Sequence, residues 1–433
     1  MDLRLSFRYF AYGSNLWPPQ MRSRCPSARV LGPGTLEGWS AVYDKPSTDG
    51  SAKLNIRPRV EGSTPGVVYE VEEGERQALD SAEPLYTPTP VHIDGQRTLT
   101  YVFDGEPFAG RPYDWYVATA LLGAACFGLD DRHLRVPTDP DPLASGVRPA
   151  SPDDLDLIGS ILSEGLTRGG DRYYIHPGEY GWWVYHDDPS HPDHFSTWIQ
   201  DETGFATIDS LAPREINVFT RPGADRTPLL RWCQRRLDGT GEIGGIADTD
   251  TEMTEELTGA GYQPTSAFRS YEWDLTTDLP EPHIPRGWQM RALLGEDEAN
   301  TRRAASHAAF ESTMPDAVHL QRYLSFMRSP VYVPERDLVA VSPEGRVGSF
   351  MIWWADDSGI AQIEPFGTHP DFHRRGVGRA LLYHGLAEMK RSGMHTARVC
   401  TDDDRHPATA FYESCGFTDV GRLRWWRPGS SGL

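Results

Sequence analysis

Lysine is nearly missing from this chain. Only Lys45, Lys53 and Lys390 occur, so arginine carries almost all of the positive charge, which we read first as a bias towards GC-rich codons. Positive charge as a whole is in deficit: 42 Lys and Arg face 62 Asp and Glu, a net charge of -20. Nucleic-acid backbones are held by basic side chains, so a general nucleic-acid binder is excluded, although a local basic pocket is not. No apolar run reaches the roughly 18 residues that a membrane span needs. The opening MDLRLSFRYFAYG has neither the long apolar block nor the small-residue cleavage site of a secretory signal, and a cytoplasmic protein without membrane partners is expected. Cysteine is scarce and scattered, at Cys25, Cys126, Cys233, Cys400 and Cys415, with no C-x-x-C pair. That excludes a disulfide framework and a cysteine zinc site, and each cysteine is expected to be a small buried hydrophobe.

What is present suggests several domains, since 433 residues exceed one ordinary core. Two stretches rich in Pro, Asp and Ser or Thr, 135–154 and 276–288, read as linkers. They divide the chain into 1–138, 147–278 and 281–428. The first segment alternates short apolar runs with turns (FRYFAYG, SAVYD, GVVYEV), and helical stretches such as DWYVATALLGAACFGL intervene. The second and third segments echo each other. Each has a strand before a helix (PREINVFTRPGADRTPLLRWCQRRL; AQIEPFGTHPDFHRRGVGRALLYHGLAEM), then a helix, a Gly-aromatic pair and a closing strand. A degenerate duplication follows from that order. Histidines His186, His191 and His194 stand among Asp187, Asp188 and Asp193, but prolines and the lack of a helical i,i+4 pair favour a solvated loop over a metal site. No metal is expected.

The sharpest local pattern is HRRGVGRALL at 373–382. A strand feeds a turn with Gly376 and Gly378, and an amphipathic helix starts at once. Such a helix start aims free N–H groups at an anion, and glycine lets the backbone come close; Arg374, Arg375 and Arg379 add charge. A dinucleotide fingerprint is excluded because its third glycine is Leu381. Together with Tyr412-x-x-x-Gly416-Phe417, the run His373-x-x-Gly376-x-Gly378 resembles the Gcn5-related N-acetyltransferase (GNAT) superfamily over 281–428. The departure is His373, where that family has Arg or Gln. The resemblance implies acetyl-CoA as co-substrate, its pyrophosphate on the amides around Arg375 to Ala380, with His373, Arg374, Gly376, Val377, Gly378 and Arg379 forming the cradle. It implies a pantetheine arm paired with the strand at Phe366 and Thr368. Tyr412 would protonate the leaving thiolate, and Glu364 is the candidate base for the acceptor amine. The middle segment, with one glycine where the third has two, is similar to the degenerate copy of mycothiol synthase and related two-copy acetyltransferases.

FAYGSNL, at 10–16, ends the first strand in a tight polar turn. Read alone, it is an anion nest or a strand-turn with Asn15 capping a helix. With Arg-Cys-Pro-x-Ala and Leu-Asp-x-x-Glu further on, it resembles the gamma-glutamylcyclotransferase-like family over 7–130. That resemblance implies a β-barrel domain in which Tyr12, Gly13, Ser14, Asn15 and Leu16 hold a glutamyl group and Glu83 is the general base and acid. Pro84 stands where the family has Gly, and proline restricts the residue before it to extended conformations.

The fold expected is mixed α/β: a cyclotransferase-like β-barrel, then two GNAT domains of mixed sheet flanked by helices. The function expected is acetyl-CoA-dependent N-acetylation of a small-molecule amine, with release of 5-oxoproline from a gamma-glutamyl amine. The alternatives are an active acetyltransferase with a merely glutamyl-binding first domain, and a non-enzymatic acyl-CoA sensor. The expected partners are these small molecules and no nucleic acid, with a homodimer left open.

Overall fold

Strands rich in Val, Tyr, Phe and Thr, punctuated by Gly and Pro, build the first part of the chain. A computed structural model describes residues 5–186, 193–211, 214–237 and 239–429. It divides into two compact units: Met1–Asp154 with His191–Val218 and Arg226–Leu237, and Leu155–Ser190 with Phe219–Asp225 and Asp238–Leu433. Residues of the segment 147–278 are thus shared between both units. Among the described residues no helix is long and apolar enough to cross a membrane.

The first unit opens with β1 (Ser6–Ala11), α1 (Pro18–Arg24), β2 (Arg29–Pro46), β3 (Ala52–Glu72), α2 (Arg76–Ala82), β4 (Thr87–Ile93), β5 (Gln96–Val102) and α3 (Asp114–Cys126). The strands form one sheet in the order β2-β3-β1-β5-β4. Here the expectation of a barrel is corrected: the sheet is open, with β2 and β4 at its edges. The long β2–β3 hairpin is antiparallel, and β1 runs parallel to β5. Tyr9, Phe10 and Ala11 are buried at the end of β1, and the turn that follows stays buried at Tyr12 and from Ser14 to Trp17. A polar knot fixes that end of the sheet. Asn55, fully buried on β3, donates to Asp44 Oδ1 (2.8 Å) and the Phe103 carbonyl (2.9 Å) and accepts from the Phe103 N–H (2.9 Å). Arg57 donates to Asp44 Oδ2 at 2.7 Å.

The stretch 135–154, expected as a linker, is packed. Asp141 accepts from Trp115 Nε1 at 2.9 Å, and β6 (Val147–Pro149) pairs with a later strand. The expectation for cysteine also needs correcting. Cys25, Cys233 and Cys415 are buried and Cys400 is partly so, but Cys126 is exposed at the end of α3.

The chain continues through α4 (Leu155–Arg168), α5 (Pro177–Tyr185), β7 (Phe195–Gln200), β8 (Gly204–Asp209), β9 (Glu215–Thr220), α6 (Thr227–Arg236), β10 (Glu242–Ala247), α7 (Thr251–Gly259) and β11 (Tyr262–Asp274). Then come β12 (Gln289–Ala292), α8 (Ala299–Ala309), α9 (Asp316–Met327), β13 (Asp337–Val341), β14 (Val347–Trp354), β15 (Ile360–Thr368), α10 (Val377–Arg391), β16 (Thr396–Asp402), α11 (His406–Cys415) and β17 (Thr418–Pro428). The order β7-β8-β9-α6-β10-α7-β11 recurs as β13-β14-β15-α10-β16-α11-β17, which is the duplication read from the sequence. In the second unit the strands run β12-β13-β14-β15-β16-β11-β17-β10. The last strands of the two repeats are exchanged: β11 lies between β16 and β17, and β17 pairs with β10. Every residue of β14 is buried, as a strand covered by helices on both faces requires. Leu338, Met351 and Ile363 pack on Leu381, Leu386 and Tyr412, while Val339, Phe350 and Ile352 pack on Phe326 and Trp354.

The Asn55 knot yields a stability test. Asn55→Ala strands buried donors and acceptors of Phe103 and Asp44, so unfolding in urea should come about 1–3 kcal/mol earlier than in the wild type. An unchanged midpoint would show that water replaces the amide at no cost.

Candidate functional site

Two concave regions gather the residues singled out from the sequence, one in each unit. In the second unit, β15 pairs with β14 as far as Thr368. On its other side it pairs with β16 only from Ile360 to Ile363. From Glu364 onwards that edge of β15 has no neighbouring strand. The chain then turns at Arg374 (φ 58°) and Gly376 (φ 76°), both in the left-handed region, and enters α10. Among the described residues no acceptor meets the N–H groups of Arg374 to Arg379; the first to be taken is that of Ala380, by the Gly376 carbonyl at 2.9 Å. These are the orphan donors of a helix start, reinforced by the turn before it. Gly378 lets α10 approach the strand, since a Cβ there would sit 2.6 Å from Thr368 Oγ1. His373, the departure from the family pattern, ties the turn to the strand through Nε2 and the Thr368 carbonyl at 3.0 Å.

These groups face a cleft of about 1030 Å³ lined by Phe366, Thr368, His373, Arg374, Gly376, Val377, Gly378, Arg379 and Tyr412. Two of the residues singled out stand apart. Arg375 lies over the ring of Phe372, and Ala380 is buried with its N–H engaged. Phe366 stacks on Phe411 at 5.7 Å, and both stand against Tyr412. The Tyr412 hydroxyl has no hydrogen-bond partner among the described residues. Burial holds its pKa well above that of a free tyrosine, so it keeps its proton at neutral pH. Glu364 does not line the cleft. It stands beside Glu179 of α5, and burial raises both carboxyls above the ordinary glutamate value, each also feeling the other. One Glu179 oxygen is buried without a partner. Arg398, paired with Glu272 at 2.8 Å, and Tyr173, 3.6 Å from the Cys400 sulfur, complete this cluster.

In the first unit, Tyr12, Gly13, Ser14 and Asn15 line a cavity of about 160 Å³ with Glu83 on its wall. Leu16 does not line it. Leu16 is fully buried and its N–H is taken by the Gly13 carbonyl at 2.9 Å. Asn15 donates from Nδ2 to Glu83 Oε1 (2.9 Å) and to the Tyr9 hydroxyl (2.9 Å); Arg24 donates to the same Glu83 oxygen at 2.7 Å. Burial pushes the Glu83 pKa up, against the pull of Arg24 and Lys45. Pro84 does not turn Glu83 away: at φ -118°, ψ 57° its side chain faces the turn. The Tyr12 hydroxyl donates to the Tyr101 carbonyl at 2.5 Å, so it braces the turn.

The sequence reading did not find Lys45, Lys53 and Arg236, which also line the first unit's cavity, or Glu179, which stands beside Glu364. For Arg236 a signal existed: Trp232 and Arg236 are spaced i,i+4 on one helix face. The solvated-loop reading is corrected for two histidines. His186 stacks on Trp182 at 4.0 Å and is held neutral by burial, and His194 faces Asp209 at 3.0 Å. Asp193 pairs with Arg22. Asp187, Asp188 and His191 lie outside the described residues. Among the described residues no group of three or more such side chains could hold a metal ion.

A model of the Acetyltransferase (GNAT) family matches residues 305–417, and one described as Gamma-glutamyl cyclotransferase, AIG2-like, matches residues 9–116. The mycothiol acetyltransferase of Arthrobacter sp. (strain FB24) is 29% identical over 239 residues, 51% of this chain and 72% of that protein. The one of Thermobispora bispora is 30% identical over 225 residues, 50% of this chain and 76% of that protein. Among solved structures, a tandem GNAT protein from the clavulanic acid biosynthesis pathway is 16% identical and aligns over 66% of this chain and 99% of its own, with a TM-score of 0.49.

The Glu179–Glu364 pair predicts a pH effect on stability. A carboxyl raised in the folded state stabilises fully below the free glutamate value, about 4.3, and that stabilisation is lost as pH rises through the folded value. Between pH 5 and pH 8 the unfolding free energy of Glu364→Gln should therefore fall less than that of the wild type. Urea titrations with parallel slopes for both proteins would contradict it.

Proposed function

Because this chain belongs to the acetyltransferase (GNAT) family and carries a gamma-glutamyl cyclotransferase, AIG2-like, domain ahead of that region, we propose that it acetylates a small-molecule amine from acetyl-CoA. We propose further that the first domain releases 5-oxoproline from a gamma-glutamyl amine. The observation that carries the first part is the set of N–H groups at Arg374 and Gly376 to Arg379, without acceptors among the described residues, at a cleft that Tyr412 also lines. A pyrophosphate fits such donors, and a pantetheine amide fits the strand-free edge of β15. The amine attacks the thioester carbonyl, the C–S bond breaks, and Tyr412 gives its proton to the thiolate. The ammonium loses two protons in becoming an amide nitrogen: one replaces the proton that Tyr412 gave up, and the other passes through water to the Glu179–Glu364 pair, which does not line the cleft. The relatives named for mycothiol favour a small molecule over a protein as acceptor.

In the first domain the substrate's own α-amine attacks its side-chain carbonyl, so the protein's work is to fold the chain and to move protons. The ammonium sheds two protons as it becomes the lactam nitrogen, and the leaving nitrogen gains two. Glu83, half-buried and poised on Asn15 and Arg24, relays them. The two reactions connect chemically: the amine freed by the first belongs to the acceptor class consumed by the second.

Two variants separate the modules. Tyr412→Phe should lower acetyl transfer by about a hundredfold or more while CoA still binds. Glu83→Gln should abolish 5-oxoproline release and leave acetyl transfer intact. Mass spectrometry after incubation with acetyl-CoA, amines and gamma-glutamyl amines reads both products. A chain that binds CoA but yields neither would be an acyl-CoA sensor.

A further inference from the structure

Beside the cleft of the second unit lies a smaller pocket, of about 170 Å³, that the acetyl-transfer scheme leaves unused. Its walls come from the end of α5, from α8 and α9, and from Pro365 on β15. Phe310 lines both this pocket and the cleft. Pro365 directly follows Glu364, so the pocket adjoins the free edge of β15 and the carboxyl already assigned to the acceptor's proton. Arg302, Arg303, His186 and His319 line it, and no Asp or Glu does.

The two arginines are only partly matched. Arg302 is 2% exposed, and its guanidinium lies 4.0 Å from the ring centre of Phe350 and 5.1 Å from that of Tyr323. Its Nε is 3.5 Å from Asp337 Oδ1, yet Nε and Nη2 are buried with no hydrogen-bond partner among the described residues. Asp337 gives its other oxygen to the hydroxyls of Tyr323 and Tyr332. Arg303, also buried, pairs with Asp316, but Asp316 is 70% exposed, so water shares that charge. Arg303 Nε and His319 Nδ1 are again buried without partners. Burial first, and then the charges around it, take His319 down to about 4, and burial lowers His186 as well, so both rings are neutral at pH 7. Buried guanidinium groups with idle N–H donors are costly, and apolar side chains of similar volume would pack there more favourably. The space beside them is several times what one water needs.

We propose that this pocket is a carboxylate subsite for the acetyl acceptor. The amine acetylated in the neighbouring cleft then belongs to an amino acid or a related amino carboxylate, not to a plain alkylamine. The carboxylate lies on Arg302 and Arg303, and the amine reaches β15 beside Glu364. Guanidinium forks match a planar carboxylate, and the neutral histidines add N–H donors without adding charge. A monoanion suits the pocket better than a phosphate dianion, because Asp337 already balances much of Arg302. This assignment rests on the acetyl-transfer reading for what happens to the amine. It adds what else the acceptor carries, and it gives α8 and α9 a part in specificity.

The test uses the full chain saturated with CoA, which has no acetyl group to give, and matched probes titrated calorimetrically. Alanine and β-alanine are set against ethylamine, and gamma-aminobutanoate against propylamine. At least one amino carboxylate should bind about tenfold tighter or more than its matched amine, the worth of one buried charge-assisted contact. Arg302→Gln or Arg303→Gln should shrink that preference to near unity. If the Arg302 variant fails to fold by circular dichroism, the Arg303 variant, whose partner stands at the surface, decides. Equal binding within every pair, binding of no probe, or a preference that survives the changes would overturn the subsite. So would aminoethylphosphonate binding tighter than β-alanine, which would point to a phosphate-type anion instead. Acetyl transfer from acetyl-CoA to the same compounds is read separately by mass. Alkylamines acetylated as well as amino carboxylates would remove the subsite and leave the transferase reading. Carboxylate-dependent binding with no transfer to any probe would keep the subsite and remove the transfer.

Discussion

Backbone hydrogen-bond donors cannot be left idle in a protein without cost. The second unit leaves a consecutive row of them idle, from Arg374 to Arg379, and the surrounding structure serves to keep them so. Gly376 supplies the left-handed turn that stops the chain from pairing with itself, and Gly378 brings α10 against Thr368. The parting of β15 from β16 after Ile363 leaves a strand edge beside the same cleft. Each feature alone has an ordinary explanation. Their convergence on one cleft, which Tyr412 also lines, is what an elongated ligand with a phosphate at one end would require.

Both units place a glutamate carboxyl largely out of water, but they surround it differently. Glu83 is raised by burial and pulled back by Arg24, Lys45 and an amide. Among the described residues Glu364 has no ion-pair partner. Its neighbour is another carboxyl, and two carboxyls in a buried site favour holding a proton between them. Arg398, which could have neutralised the pair, is itself committed to Glu272.

What was legible in the sequence was local. The turn at Tyr12–Asn15, the glycines of the cradle and the Tyr412-x-x-x-Gly416-Phe417 helix end each need only a few consecutive residues to declare their geometry. The repeat was legible because element order survives when identity does not. What escaped was assembled over long separations. Glu179 meets Glu364, and Arg236 enters a cavity whose other walls lie before residue 117. The stretch 135–154 looked like a linker because Pro and Asp dominate it, yet Asp141 is buried as the acceptor of Trp115 and the partner of Arg235. Composition reports what a segment would do alone, not what it packs against. The barrel was a borrowed expectation; the sheet's actual edges depend on pairings between strands that no local pattern encodes.

Net charge misleads in the same way. At -20 the chain as a whole repels anions at long range, yet screening over about 8–10 Å at ordinary ionic strength confines that repulsion. Inside the first unit's cavity, low polarisability makes near charges dominate, and there the sign is reversed. Three tryptophans around Arg236 explain how the fold tolerates it: aromatic faces are among the few apolar surfaces that attract a cation without cancelling its charge. Within the cavity Arg24 and Lys53 have carboxylate partners, while Arg236 is held by rings and a neutral amide beside an Arg235 that pairs with Asp141.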